Sequence, residues 1–205
     1  MMKKIIGNSI GHDMENAKFP QNKDFCCTAC ATGKLILRSS YLKIRTEQHK
    51  FLERIQGDIC GPIQPLPRPF RYFMVLIDTS TRWSHVSLLS TCNHAFAKIM
   101  PQLIKLKAHY PKHRIQSIRM DNAAEFSSRT FNNYCLALGI QVQHYVPYVY
   151  TQNGLVESLI KRIKLIARPL LMNCKLPTSC WGHAVLHVAY LIQLRPTTYY
   201  ETSPL

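Results

Sequence analysis

Three acidic residues have the types and positions that metal-dependent chemistry needs. Asp58 lies within the apolar segment QGDICGP, Asp121 ends another apolar segment in RMDNAAEF, and Glu157 opens a helical pattern in TQNGLVES. Burying an unpaired carboxylate is costly, so a cation is expected beside a strand-borne acid. Mg²⁺ prefers carboxylate oxygens, and two such ions about 3.5–4 Å apart stabilise both reacting oxygens of a phosphoryl transfer. The three acids together therefore predict a two-metal site.

Each acid taken alone also has a plain structural explanation. Asp121 could simply end a strand, and Glu157 would be favoured near a helix N-terminus by the helix dipole. The combination of two strand-borne acids and one helix-borne acid is what favours a shared chemical role.

The charge of the chain points to a polyanionic partner. Among its 205 residues, 26 are Lys or Arg and 11 are Asp or Glu, which gives a net charge of +15. Nucleic acid is the leading candidate, and an anionic membrane surface is the second. No apolar run approaches the roughly 20 residues of a membrane span, and the N-terminal segment lacks a secretory pattern. We therefore expect an intracellular protein with reduced cysteines and no membrane partner.

The hydrophobic pattern predicts the elements that position these acids. Strands are predicted at residues 51–59, 72–77, 85–89, 115–120 and 140–145. Helices are predicted at 95–110, from 127 or 128 to 138, at 151–174 and at 177–195. The predicted N-caps are Asn93 and either Ser127 or Ser128, and Gly139 is the predicted C-terminal cap. The first three strands follow one another directly, and the later strands alternate with helices. This order indicates an α/β architecture with a mixed sheet.

The spacing of the acids and the sequence motifs around them resemble those of a known family. Between Asp121 and Glu157 lie 35 residues. Five motifs occur along the chain in this order: GDICGPI, RYFMVLIDTSTRW, DNAAEF, TQNGLVES and KRIKLIARPLLM. This pattern resembles the integrase catalytic core of copia-type LTR retrotransposons of plants, over residues 26–205. The resemblance implies a ribonuclease-H-like fold with a mixed five-stranded sheet flanked by helices. It also implies a polynucleotidyl transferase that cuts and joins DNA strands with two Mg²⁺ or Mn²⁺ ions held by Asp58, Asp121 and Glu157.

The helix after Glu157 carries the residues expected to contact DNA. Glu157, Lys161 and Lys164 share one helical face, and Arg162 and Arg168 add to the basic surface. Lysines beside the acid would neutralise phosphates near the scissile bond. The alternative is an exposed Glu–Lys pair worth about 0.2–0.5 kcal/mol. Three polar residues adjoin the acids and are further candidates for DNA contact: Asn122, Gln152 and Asn153.

A cysteine pair lies in the N-terminal region. Cys27 and Cys30 have metal-ligand spacing, and the resemblance implies a truncated GAG-pre-integrase zinc region there. His12 is the only histidine before the pair, and His12 with Cys26 could complete a four-ligand set, although adjacent cysteines rarely bind the same ion. A metal-free remnant is the alternative to Zn²⁺ binding. We therefore divide the chain into residues 1–48, a zinc-module remnant with a basic linker, and residues 49–205, the catalytic core.

Two departures from the family leave other functions open. Ala124 stands where the family usually has glycine, and alanine would be strained there if φ were positive. The chain also lacks the family's basic C-terminal region. A catalytically inactive nucleic-acid-binding remnant and a ribonuclease-H-type nuclease are therefore alternatives to an active integrase. A homodimer is expected from the resemblance, with activity in the nucleus or a cytoplasmic particle.

Overall fold

A computed structural model describes residues 28, 49–63, 69–121, 123–144 and 154–194 of the chain. The chain divides into two compact units, Ser39–Arg162 and the combination of Met1–Arg38 with Ile163–Leu205. Among the described residues, no helix is long and apolar enough to cross a membrane.

The five strands form one mixed sheet, as the sequence predicted. They are β1 (Arg54–Cys60), β2 (Tyr72–Asp78), β3 (Ser84–Leu89), β4 (Ser117–Met120) and β5 (Gln141–His144). Their order across the sheet is β3-β2-β1-β4-β5. The first three strands form an antiparallel meander, whereas β4 and β5 join β1 in parallel pairing.

Among the residues that the structure describes, five α-helices follow or separate these strands. They are α1 (Ala95–His109), α2 (Ala124–Ser127), α3 (Arg129–Ala137), α4 (Gly154–Asn173) and α5 (Trp181–Leu194). The core of the first unit lies between one face of the sheet and α1 to α3. It includes Ile55, Leu76 and Met120 from the strands and Ile99 and Phe131 from the helices, all nearly inaccessible to solvent.

The element boundaries depart from the predictions at a few places. Residues 51–53 form a turn before β1, because Leu52 adopts a φ of 61° and cannot continue a strand. The predicted N-cap Asn93 is wrong, since α1 has His94 at its N-cap after a 3-10 turn at Cys92–His94. Of the two predicted caps, Ser128 is the one that caps α3, because its side chain accepts a hydrogen bond from the Phe131 amide. Gly139 takes the expected positive φ, 71°.

The backbone strain considered for Ala124 is not found in the structure. Ala124 is the first residue of the short helix α2, so its backbone is helical and needs no glycine. This departure from the family pattern therefore introduces no backbone strain.

Candidate metal-binding site

Asp58 and Asp121 lie on adjacent parallel strands at the same height. Gln56 of β1 pairs with Arg119 of β4, which sets an offset of 63 residues between the two strands. Two residues further on, the same offset brings Asp58 level with Asp121, which directly follows β4. Because paired residues of adjacent strands point to the same face, we expect both carboxylates on one face of the sheet if the register continues to Asp121. Two distant segments of the sequence therefore contribute one pair of acids.

Asp58 is half-buried in the middle strand of the sheet. Its Oδ1 accepts a hydrogen bond from the Ile59 amide at 2.8 Å. Its register partner on the other side is Val75, which is fully buried. An acid in this position has an apolar neighbour on one side and a second acid on the other.

The residues directly before the two acids pack tightly against each other. A Cβ atom placed on Gly57 would lie 2.5 Å from Sδ of Met120 and 2.8 Å from Cδ2 of Leu76. Glycine therefore allows the Met120 side chain to lie across β1. This close approach fixes how the segments carrying Asp58 and Asp121 sit against each other.

Asp121 is held from two sides. Its Oδ1 accepts a hydrogen bond from the Ala123 amide at 3.3 Å, and its backbone carbonyl accepts one from Nδ1 of His144 at 3.1 Å. Burial is the main cause that raises the pKa of the Asp121 carboxyl, and the nearby charge of Glu125 raises it further. The Ala123 amide and His144 act in the opposite direction. A bound cation would offset the burial of this carboxylate.

A row of polar residues lies next to the acid pair on the same face of the sheet. Gln56, Arg119 and Gln143 are aligned across β1, β4 and β5. Nη2 of Arg119 donates a hydrogen bond to Oε1 of Gln143 at 3.2 Å. Gln56 is 7% exposed, and its Oε1 has no partner among the described residues. This face is therefore polar in two successive rows near the end of β4.

Glu157 lies in the first turn of α4 and is half-buried. Lys161 and Lys164 share its helical face, as predicted, and both are exposed. Arg168 is also exposed on that side. Arg162 is half-buried and lies about 140° around the helix from Glu157, given 3.6 residues per turn. The helix therefore presents an acid and three basic side chains along one face.

The donor set suits a hard divalent cation, but the three acids are not gathered. Asp58 and Asp121 supply carboxylate oxygens, which Mg²⁺ and Mn²⁺ prefer. Within the described ranges, no three His, Cys, Asp or Glu side chains are close enough to hold a metal ion. Glu157 is thus placed on the expected helix without joining the pair. The remaining predicted site residues lie outside the described residues: Cys27, Cys30, Asn122, Gln152 and Asn153.

Sequence reasoning missed three residues around Asp121. Burial raises the pKa of the Cys92 thiol, and the charges of Glu125 and Asp121 raise it further. Glu125 had a signal in the sequence, since acids are scarce and it follows Asp121 by four residues. Cys92 and His144 had none, because their proximity depends on how the segments before α1 and after α3 meet the end of β4.

A further buried carboxylate, Asp78, has a structural role. It is 1% exposed, and its two oxygens accept hydrogen bonds from the Leu52 amide, the Thr81 amide and the Thr81 hydroxyl at 2.8–3.1 Å. These contacts hold the β2–β3 turn against the start of β1.

Comparison with known proteins identifies the domain around the acid pair. The profile of the integrase core domain matches residues 48–149, a range that includes Asp58 and Asp121. The chain is 30% identical over 172 residues to the Pol polyprotein of transposon TNT 1-94 from Nicotiana tabacum, covering 83% of this chain and 13% of that protein. It is 25% identical over 197 residues to the Pol polyprotein of transposon RE2 from Arabidopsis thaliana, covering 94% of this chain and 13% of that protein.

A viral polyprotein shows a weaker similarity. The Gag-Pro-Pol polyprotein of bovine leukemia virus is 29% identical over 89 residues, which cover 40% of this chain and 6% of that protein. The chain thus spans about an eighth or less of the length of the curated relatives named here.

A solved structure shares the fold. A chain of the simian T-cell lymphotropic virus intasome, solved in complex with the PP2A regulatory subunit B56 gamma, superposes with a TM-score of 0.64 and 20% identity. The match covers 85% of this chain and 60% of that chain. This similarity and the mixed five-stranded sheet confirm the predicted ribonuclease-H-like fold.

Proposed function

This chain carries a retrotransposon-type integrase core domain of the polynucleotidyl transferase family, and we propose that it cuts and joins DNA strands with two divalent metal ions. The observation that carries the proposal is the β1–β4 register, which ends at Gln56 and Arg119 and, continued by two residues, aligns Asp58 with Asp121. In a parallel sheet such a pairing creates a local concentration of negative charge that needs a cation.

The acids would hold the ions, and the surrounding protein would position the acids. Asp58, Asp121 and Glu157 are the proposed ligands, with Mg²⁺ or Mn²⁺ as the ions. Once bound, the ions supply Lewis acidity and a nucleophile at neutral pH. The hydrogen bonds from Ala123 and His144 keep Asp121 fixed while Asp58 is held within the sheet.

DNA would be bound by the basic face of α4. Lys161 and Lys164 are exposed beside Glu157 and are suited to phosphates that flank the scissile bond. We propose the same contact role for Arg162, Asn122, Gln152 and Asn153. The net charge of +15 supports a polyanionic partner in general.

The acids are tested on a branched DNA substrate with Mg²⁺ or Mn²⁺. Asp58→Asn, Asp121→Asn and Glu157→Gln should each reduce metal-dependent cleavage and rejoining by at least about 100-fold. Glu53→Gln is the matched control, because it removes one negative charge away from the three acids, at a turn where the Glu53 carboxylate accepts a hydrogen bond from the Lys50 amide. Full activity in any one of the three acid variants would exclude that residue as a required ligand.

The DNA-contact face is tested by the salt dependence of binding. Lys161→Gln with Lys164→Gln should weaken binding and reduce the slope of log K against log salt by about 2. Lys112→Gln with Lys175→Gln changes the charge equally at exposed residues outside α4 and should leave the slope nearer that of the wild type. An equal loss of slope in both double variants would show that binding depends on net charge alone.

One observation favours a second candidate, an inactive nucleic-acid-binding remnant. The third acid does not join the pair, so the metal site is incomplete in this arrangement. Under this alternative, salt-sensitive DNA binding persists in the wild-type chain while metal-dependent cleavage is absent.

We also propose the finer identity that the sequence motifs suggest. The domain would belong to a copia-type element, act on element ends and target DNA in the nucleus, and form a homodimer. Sedimentation of the purified chain tests the dimer. The proposed zinc-region remnant at residues 1–48 lies almost wholly outside the described residues.

A further inference from the structure

A pair of histidines on α5 lies outside the carboxylate site. His183 and His187 are four residues apart on one helix, and both are exposed. Residues at this spacing project from the same face with about 5–6 Å between their Cβ atoms. Two imidazoles at this separation can approach a single ion from one side, at the Zn–N distance of about 2.0–2.1 Å.

The surroundings of the pair suit a cation. The helix WGHAVLHVAYLIQL contains no Lys or Arg, so a metal ion there meets no like charge from its own helix, although the chain carries +15. It contains no Asp or Glu either, so no carboxylate adds oxygen ligands that would favour Mg²⁺.

The opposite side of α5 is anchored. Ala184, Val185 and Val188 are buried, between 0% and 6% exposed. The helix is therefore held in place without the histidines, and the exposed pair keeps its spacing before any ion binds. Such preorganisation favours chelation over binding by two independent imidazoles.

We propose that His183 and His187 form a bidentate site for a borderline transition-metal ion, Zn²⁺ or Ni²⁺, separate from the carboxylate site. The pair supplies two of the ligands, and the remaining positions are open to water or another donor. The site differs from the acid pair in its ligand chemistry, because imidazole nitrogen selects ions of this class and carboxylate selects Mg²⁺ or Mn²⁺.

The chain offers a closely matched control. His109 and His113 have the same four-residue spacing, but α1 ends at His109, so they do not share a helix. In addition, Nδ1 of His109 is engaged with the Lys105 carbonyl at 2.8 Å. This second pair should therefore not chelate.

The experiment uses the full 205-residue chain without an affinity tag. Retention on immobilised Ni²⁺ is measured as the imidazole concentration at elution, and Ni²⁺ and Zn²⁺ binding is measured by calorimetry. The variant His183→Gln/His187→Gln should bind Ni²⁺ at least about 10-fold more weakly, and each single variant should lose most of that affinity, because chelation needs both rings. His109→Gln/His113→Gln should bind as the wild type does.

Two outcomes would overturn the site. Unchanged affinity in His183→Gln/His187→Gln would do so, as would single variants that each lose only half of the binding. A third variant, Cys27→Ser/Cys30→Ser, tests whether the N-terminal thiols bind the metal. Loss of Ni²⁺ binding in that variant alone would assign the metal to the cysteines. Equal melting temperatures without metal would show that the exposed substitutions leave the fold intact.

Discussion

Replacing Gly57 with alanine tests whether close packing beside the two acids sets their alignment. The added Cβ would lie 2.5 Å from Sδ and 2.8 Å from Cε of Met120, and 2.8 Å from Cδ2 of Leu76. Met120 and Leu76 are 0% and 1% exposed, so neither side chain has free space to move into. Overpacking of this kind costs about 1–3 kcal/mol. Methionine is flexible, which favours a value near 2 kcal/mol, or a fall in Tm of roughly 8 °C.

Chemical denaturation of Gly57→Ala, Met120→Ala and the double variant measures this effect. Met120→Ala alone should lose about 2–5 kcal/mol, because it leaves a cavity. In the double variant the new methyl group occupies part of that cavity, so the combined loss should be smaller than the sum by at least about 1 kcal/mol. Additivity within about 0.5 kcal/mol, or a Gly57→Ala protein as stable as the wild type, would refute the close-packing explanation.

Two further predictions concern buried polar groups. Asp78→Ala should lower the free energy of unfolding by about 3 kcal/mol, because it leaves the Leu52 amide and the Thr81 groups without their acceptor; a loss under 1 kcal/mol in urea denaturation would contradict this. Burial raises the pKa of the Cys135 thiol to about 11, from an ordinary value of 9.0. At pH 8 its thiolate fraction is therefore about 100-fold smaller than that of an ordinary thiol, so Cys135 should resist alkylation. Mass spectrometry should find the exposed Cys174 modified first, and early labelling of Cys135 in the folded protein would disprove its burial.

Much of the fold could be predicted because its main signals are local. The continuous apolar run at residues 72–77 predicted the buried strand β2, and Ser128 and Gly139 marked both ends of α3 correctly. The start of β1 could not be predicted, because Phe51 and Leu52 are apolar and continue the strand pattern. Leu52 instead takes a positive φ, with its amide bonded to Asp78, a residue 26 positions away.

The candidate site could be predicted only in part, for a similar reason. Local sequence placed Asp58 on a strand, Asp121 at a strand end and Glu157 at a helix start, and the structure agrees with all three placements. Whether three acids meet depends on how α4 approaches the sheet, and no local pattern encodes that distance. The environment of Asp121 could not be predicted either, since His144, which donates to its carbonyl, comes from β5.

The parallel pairing of β1 with β4 also has a consequence for the order of folding. The meander of β1, β2 and β3 joins neighbouring segments, whereas the β1–β4 ladder joins residues 63 positions apart. Contacts between distant segments carry a larger loop-closure entropy and form more slowly than hairpin contacts. A nascent chain therefore displays Asp58 on a formed hairpin before Asp121 has docked beside it. The two acids therefore come together only after β4 has joined the sheet.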